Sequence, residues 1–113
     1  MKIGIIGYGV VGKAASRTFE KHYSIIKYDK YQKLDIFSEM ASCDFIFIMV
    51  PTPFDVENNN VDLSAIDESL TRLEKIKYRG IVIIKSTVPP GTCDIYNSNF
   101  DFKLVFNPEF LRE

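Results

Sequence analysis

Gly7-Tyr8-Gly9-Val10-Val11-Gly12 is a complete G-x-G-x-x-G. Glycines at this spacing suit a nucleotide pyrophosphate. Gly7 permits a tight turn, Gly9 lets the pyrophosphate approach the backbone, and Gly12 lets the following helix pack close to a sheet. The start of that helix offers free N–H groups and a positive dipole end to phosphates. Asp29 follows 22 residues after Gly7. It ends a second β-rich run, where a carboxylate bonds the ribose hydroxyls of NAD. A carboxylate there repels a 2′-phosphate, so NAD is expected over NADP. Lys27 and Lys30 flank it and soften that preference. Glycines and Asp29 also serve turns without any ligand, and that reading stands beside the first.

Other residue groups suited to chemistry follow later runs. Val50-Pro51-Thr52-Pro53 is a stiff exit, or equally a wall of a dinucleotide site. Ser86-Thr87 opens Ser86-Thr87-Val88-Pro89-Pro90-Gly91-Thr92 with two hydroxyls, or simply caps a strand. Asn107-Pro108-Glu109-Phe110-Leu111-Arg112-Glu113 places Glu109 and Glu113 four apart. That spacing puts two carboxylates on one helix face, which is more often a solvated face than an acid–base pair. Cys43 and Cys93 show neither a neighbouring base nor a reason for a depressed pKa. They make neither a disulfide framework nor a metal site. His22, the one histidine, falls at the end of the first helix, where it favours the helix dipole.

The elements that position these groups are legible as periodicity. Lys2–Ile6, Ser24–Tyr28, Asp44–Val50, Gly80–Lys85 and Lys103–Phe106 are β-rich, mostly continuous apolar runs, as in strands buried on both faces of a parallel sheet. Val11, Ala14, Ala15, Thr18 and Phe19 form one helical stripe, and Ile66, Leu70, Leu73 and Ile76 a second. Ser64 is the expected N-cap of the second helix, with Asp67 and Glu68 in its first turn. Gln32–Ser42 reads as one short helix or irregular structure, Phe54–Asn60 as an exposed loop, and Thr92–Asn97 as a possible short helix. Alternating strand and helix predicts an α/β fold: a Rossmann-like, doubly wound parallel sheet of about five strands, with helices on both faces and strand order 3-2-1-4-5. In such a sheet ligands bind beyond the carboxyl ends of the strands, and every group above follows a strand.

Composition sets the bounds. A chain of 113 residues favours one domain, and one of this size supports its own core. Apolar residues at 46% and charged residues at 26% exclude overall disorder. The net charge of −1 gives no basic excess to attract nucleic acid or an anionic membrane. No apolar run is long enough to span a bilayer, and the N-terminus has no small-residue cleavage site. A cytoplasmic protein with reduced thiols is the expectation.

The order GYGVVG, VPTP, Asp62-Leu63-Ser64, STVPPGT and, about fifteen residues on, NPEFLRE closely resembles the N-terminal domain of the UDP-glucose/GDP-mannose dehydrogenase family, over nearly the whole chain. The last two motifs are far more specific than the glycine fingerprint. The resemblance implies an NAD-dependent oxidoreductase that takes the C6 hydroxyl of a nucleotide sugar to a carboxylate in two hydride transfers. It assigns Gly7, Tyr8, Gly9, Val10, Val11, Gly12 and Asp29 to NAD, and sets Pro51, Thr52, Pro53, Ser86 and Thr87 along the cofactor. It implies that Thr87 helps to hold a catalytic water and that Glu109 is a candidate acid–base group. Glu109, Phe110, Leu111 and Glu113 would line the site of a UDP-sugar. The family's cysteine nucleophile belongs to a later domain, reached through a central helix. Residues 1–113 are expected to be the NAD-binding domain alone, holding the cofactor half of the enzyme, with turnover absent. A stand-alone or degenerate NAD-binding protein, or a partner subunit without catalysis, remains the alternative.

Overall fold

The computed structural model describes residues 1–89, 92, 96, 100 and 102–107. Strands β1 (Lys2–Ile6), β2 (Ser24–Tyr28), β3 (Phe45–Ile48), β6 (Ile81–Ile84) and β7 (Lys103–Phe106) form one parallel sheet. Helix α1 (Val10–Phe19) joins β1 to β2, and α2 (Ser64–Lys75) precedes β6. A 3-10 helix, Phe37–Ser42, leads into β3. A two-stranded hairpin, β4 (Phe54–Asp55) and β5 (Asn60–Val61), follows it. The α/β class and the five-stranded sheet are those expected from the periodicity.

The strand order is β2-β1-β3-β6-β7, which corrects the expected 3-2-1-4-5. The third long strand does not add to β2. It crosses β1 and pairs on the other side, with Ile5 opposite Phe47. The reason lies at the edge of β2. Lys27 N–H donates to Asp35 Oδ2 at 2.8 Å, and Lys27 C=O accepts Asp35 N–H at 3.0 Å. Asp35 thus satisfies backbone groups that an edge strand would leave open. The wholly apolar Phe45–Ile48 takes the central position instead, between β1 and β6. The order still reverses between β1 and β3, so the crevice stays where α/β sheets bind ligands.

The two faces are covered unequally. On one, Ile46, Ile48, Val82 and Ile84 are fully buried against Ile66, Leu70 and Leu73 of α2 and against Phe37 and Met40 of the 3-10 helix. The stripe read for α2 is the one it buries. The stripe read for α1 is not. Gly12 and Ser16 are the buried residues of α1, while Ala14 and Thr18 are exposed. The absent side chain of Gly12 draws the helix down: a Cβ there would lie 2.2 Å from Gly7 O. Val11, Ala14, Ala15 and Thr18 are left lining an open groove beside Phe47 and Met49.

Two local expectations also change. Ser64 is the first helical residue rather than the cap, and its N–H donates to Asp62 Oδ1 at 2.9 Å. Phe54–Asn60 is exposed at every residue but Asp55, as expected, yet its ends pair as the β4–β5 hairpin, with the turn wound around Asp55. The Asp55 carboxylate accepts the N–H groups of Glu57 and Asn58 and the Asn58 side-chain amide. Asn59 takes φ 52° there, a conformation asparagine tolerates better than most residues.

Candidate functional site

Four strand ends are levelled by the residue that follows each. Gly7, Met49, Lys85 and Asn107 donate backbone N–H to Tyr28, Ile6, Ile48 and Ile84 carbonyls at 2.8–3.0 Å. The loops therefore leave the sheet from one rim, and the motif residues gather there.

Gly7 turns the chain at φ +94°, and a Cβ on it would lie 2.6 Å from Met49 O. Gly9 differs: a Cβ there meets nothing within 4 Å. Gly9 is also the N-cap of α1, with no side-chain cap and no acidic residue in the first turn. Open space lies directly above uncompensated helix N–H groups, which is the setting a phosphate requires. Gly12 serves helix packing, as its contact with Gly7 shows.

Asp29 stands beside this loop. Its Oδ2 accepts Tyr8 N–H at 2.7 Å and its Oδ1 accepts Tyr31 N–H at 2.9 Å. Gln32 Nε2 donates to Tyr8 C=O at 2.8 Å. The fingerprint turn and the β2 exit are thus joined through one carboxylate. The flanking lysines are committed elsewhere. Lys27 pairs with Glu20 at 2.7 Å and lies over the Tyr8 ring, and Lys30 pairs with Glu68 at 3.3 Å. The pair with Glu20 raises the Lys27 pKa, and Lys27, with Ser16 second, lowers that of Glu20.

Two cavities open from the rim. One, of about 350 Å³, runs from Gly7 and Gly9 past Asp29 to Ser64 and Arg72 of α2. The other, of about 440 Å³, runs from Gly9 and Val10 past Thr52 to Ser86 and Thr87. They share Gly9, Met49, Val50 and Pro51. A dinucleotide has this shape, two nucleosides joined by a pyrophosphate, and Gly9 stands at the join. The far loops are cross-tied: Ser86 Oγ donates to Val50 C=O at 2.6 Å and Thr52 Oγ1 to Thr87 C=O at 2.7 Å. Thr87 is exposed at the mouth.

Of the residues singled out by sequence, Gly7, Gly9, Val10, Val11, Asp29, Pro51, Thr52, Ser86 and Thr87 line one cavity or the other. Tyr8 contributes its backbone. Pro53 lines neither cavity, and its carbonyl accepts Asp62 N–H at 2.7 Å. Glu109, Phe110, Leu111 and Glu113 lie outside the described residues, as does Cys93. Cys43 is buried at the opposite end of β3, and burial pushes its thiol up to about 11. Sequence reading missed Tyr28, Phe37, Glu68 and Arg72, which line the first cavity. Glu68 and Arg72 stand four apart on α2, a spacing easily taken for a solvated ion pair. Among the described residues no His, Cys, Asp or Glu cluster could hold a metal, and no helix is long and apolar enough to cross a membrane.

A family model described as the UDP-glucose/GDP-mannose dehydrogenase family, NAD-binding domain, matches residues 26–113. The UDP-glucose 6-dehydrogenase of Campylobacter jejuni is 31% identical over an alignment covering 100% of this chain and 37% of its own length. That of Rickettsia prowazekii is 37% identical over 75% of this chain and 21% of its own. The chain thus spans between a fifth and two-fifths of these relatives. Two solved structures share the fold. UDP-D-ManNAc dehydrogenase from Pyrococcus horikoshii superposes with a TM-score of 0.83 at 20% identity, over 99% of this chain and 37% of its own. GDP-mannose dehydrogenase from Pseudomonas aeruginosa, a ternary complex, gives 0.80 at 24%, over 100% and 37%.

Proposed function

Because the chain belongs to the UDP-glucose/GDP-mannose dehydrogenase family, NAD-binding domain, we propose that its crevice holds NAD for a UDP-glucose 6-dehydrogenase-like oxidation in the cytoplasm. The observation that carries this is Asp29 bonded to the fingerprint loop, next to the open space over Gly9. The Asp29 carboxylate holds the adenosine ribose, and the N–H groups at the start of α1 hold the pyrophosphate. The cavity walled by Val10, Thr52 and Thr87 takes the nicotinamide end. When bound, NAD would supply the acceptor for the hydride leaving the sugar C6. By likeness to the family, Thr87 helps to hold a catalytic water, Glu109 is the acid–base group, and Phe110, Leu111 and Glu113 meet the UDP-sugar. Residues 1–113 act as one cofactor domain.

The chain by itself is expected to produce no NADH from UDP-glucose. Positioning the sugar supplies much of the rate, and Cys43, buried with a raised pKa, is no nucleophile. Steady turnover abolished by Cys43→Ser or by Cys93→Ser would overturn this. The decisive experiment on the cofactor is titration with NADH and NADPH. Gly9→Val fills the open space and should weaken NADH at least tenfold with little change in Tm. NADPH should bind more weakly than NADH, because its 2′-phosphate meets Asp29, and Asp29→Ala should narrow the gap. No response of the wild type to millimolar NADH, or unchanged binding by Gly9→Val, contradicts the proposal.

A further inference from the structure

Arg72 has an uncommon setting for a helix-surface arginine. Glu68 lies four residues before it, the ordinary spacing for an intrahelical ion pair. That carboxylate instead goes to Lys30. The Arg72 guanidinium lies over the Phe37 ring, 4.1 Å from its centroid, and 4.8 Å from that of Tyr28. Its Nη1 donates to Tyr28 Oη. No carboxylate pairs with it among the described residues. Helical side chains lean toward the helix N-terminus, which in α2 is the crevice end. Arg72, Phe37 and Tyr28 all line the cavity that contains Asp29 and Gly9.

We infer that Arg72 is the base-positioning residue of this cavity: a guanidinium plane, mounted on Phe37 and held by Tyr28, on which the adenine of the cofactor stacks. This rests on the cofactor reading above. A dinucleotide whose pyrophosphate lies over Gly9 and whose ribose meets Asp29 must place its base farther along the same cavity. A planar cation attracts a π face, and nucleobases stack on arginine planes. The other ligand of a guanidinium is an anion, and Asp29 and Glu68 in the same cavity oppose that. Lysine would keep the charge and lose the plane.

The test compares the wild type, Arg72→Ala and Arg72→Lys by amide chemical-shift titration with two probes. ADP-ribose carries adenine, whereas reduced nicotinamide mononucleotide does not. ADP-ribose affinity should fall about tenfold in Arg72→Ala and partly in Arg72→Lys. Shifts caused by the mononucleotide around Val10 and Thr52 should not change. In the wild-type complex, the adenine H2 or H8 should show an NOE to the Arg72 δ-protons. Unchanged ADP-ribose affinity in a folded Arg72→Ala, or an equal loss for both probes, overturns the inference. If Arg72→Ala fails to fold, Arg72→Lys and the NOE decide it, and absence of the NOE overturns it. A wild type that binds neither NADH nor ADP-ribose fails the cofactor reading itself, and this inference with it.

Discussion

One row of the sheet runs Ile6–Ile48–Ile84–Phe106, and its neighbour on the opposite face runs Ile5–Phe47–Ile83–Val105. In the first, Ile6, Ile48 and Ile84 are at most 2% exposed. In the second, cover falls steadily away from α1. Ile5 is fully buried, Phe47 and Ile83 are half-buried, and Val105 is 37% exposed. The residue types barely differ between the rows. What differs is the layer above. The connections into β3 and β6 both lie on the first face, as right-handed crossovers in one direction require. Among the described residues α1 alone lies over the second. Parallel strands are apolar on both sides because both sides are ordinarily covered. Here closely similar sequence patterns are buried to unequal extents.

That contrast can be broken at two adjacent residues of the same type. Ile84→Ala should cost about 2–5 kcal/mol, the range for deleting a fully buried aliphatic side chain. Ile83→Ala, on the less covered side, should cost measurably less, because part of its surface already meets water. Urea unfolding of both variants decides it. Equal losses would mean that the α1 face is as well sealed in solution as the other.

A smaller effect is expected where α1 meets the sheet. Gly12→Ala sets a methyl against the Gly7 carbonyl, and overpacking of this kind costs about 1–3 kcal/mol. The loss should come with a weakened NADH response, since the same shift moves Gly7 and Gly9. A variant as stable as the wild type would show that α1 sits higher than described.

The smallest effect is at the outer edge of the α1 face. Glu20 pairs there with Lys27, which lowers the Glu20 pKa from its ordinary 4.5. A group with a lowered folded pKa stabilises above its unfolded value and loses that contribution as pH falls through the folded one. Glu20→Gln should therefore melt slightly below the wild type at pH 7, and the gap should close below about pH 4.5. The Lys27 pKa is raised from 10.5, so its share persists until alkaline pH. The gap should also shrink with salt, as exposed pairs do. A gap that persists at pH 3 would assign the effect to something other than the ion pair.

Much was determined by sequence alone. The bounds of β1, β2 and β7, the turn at Gly7 and the place of Asp29 all follow from contiguous residues. Each of these signals is local: an apolar run between breakers, a glycine where φ must be positive, a carboxylate at a strand end. The family motifs were legible for the same reason. The strand order was not, because it turned on Asp35 occupying the free edge of β2, a bond between residues eight apart whose alternative was a whole strand. The buried line of α1 was not either. Spacing named an apolar stripe, but a missing side chain at Gly12 decided which line reached the sheet. Arg72 belongs with these. Its sequence neighbours offer it an ordinary ion pair with Glu68, and only the packed structure brings Phe37 and Tyr28 beneath it. Tertiary structure decided whatever depended on competition between distant partners for one group, since a linear sequence states what each residue can bond but not which partner arrives.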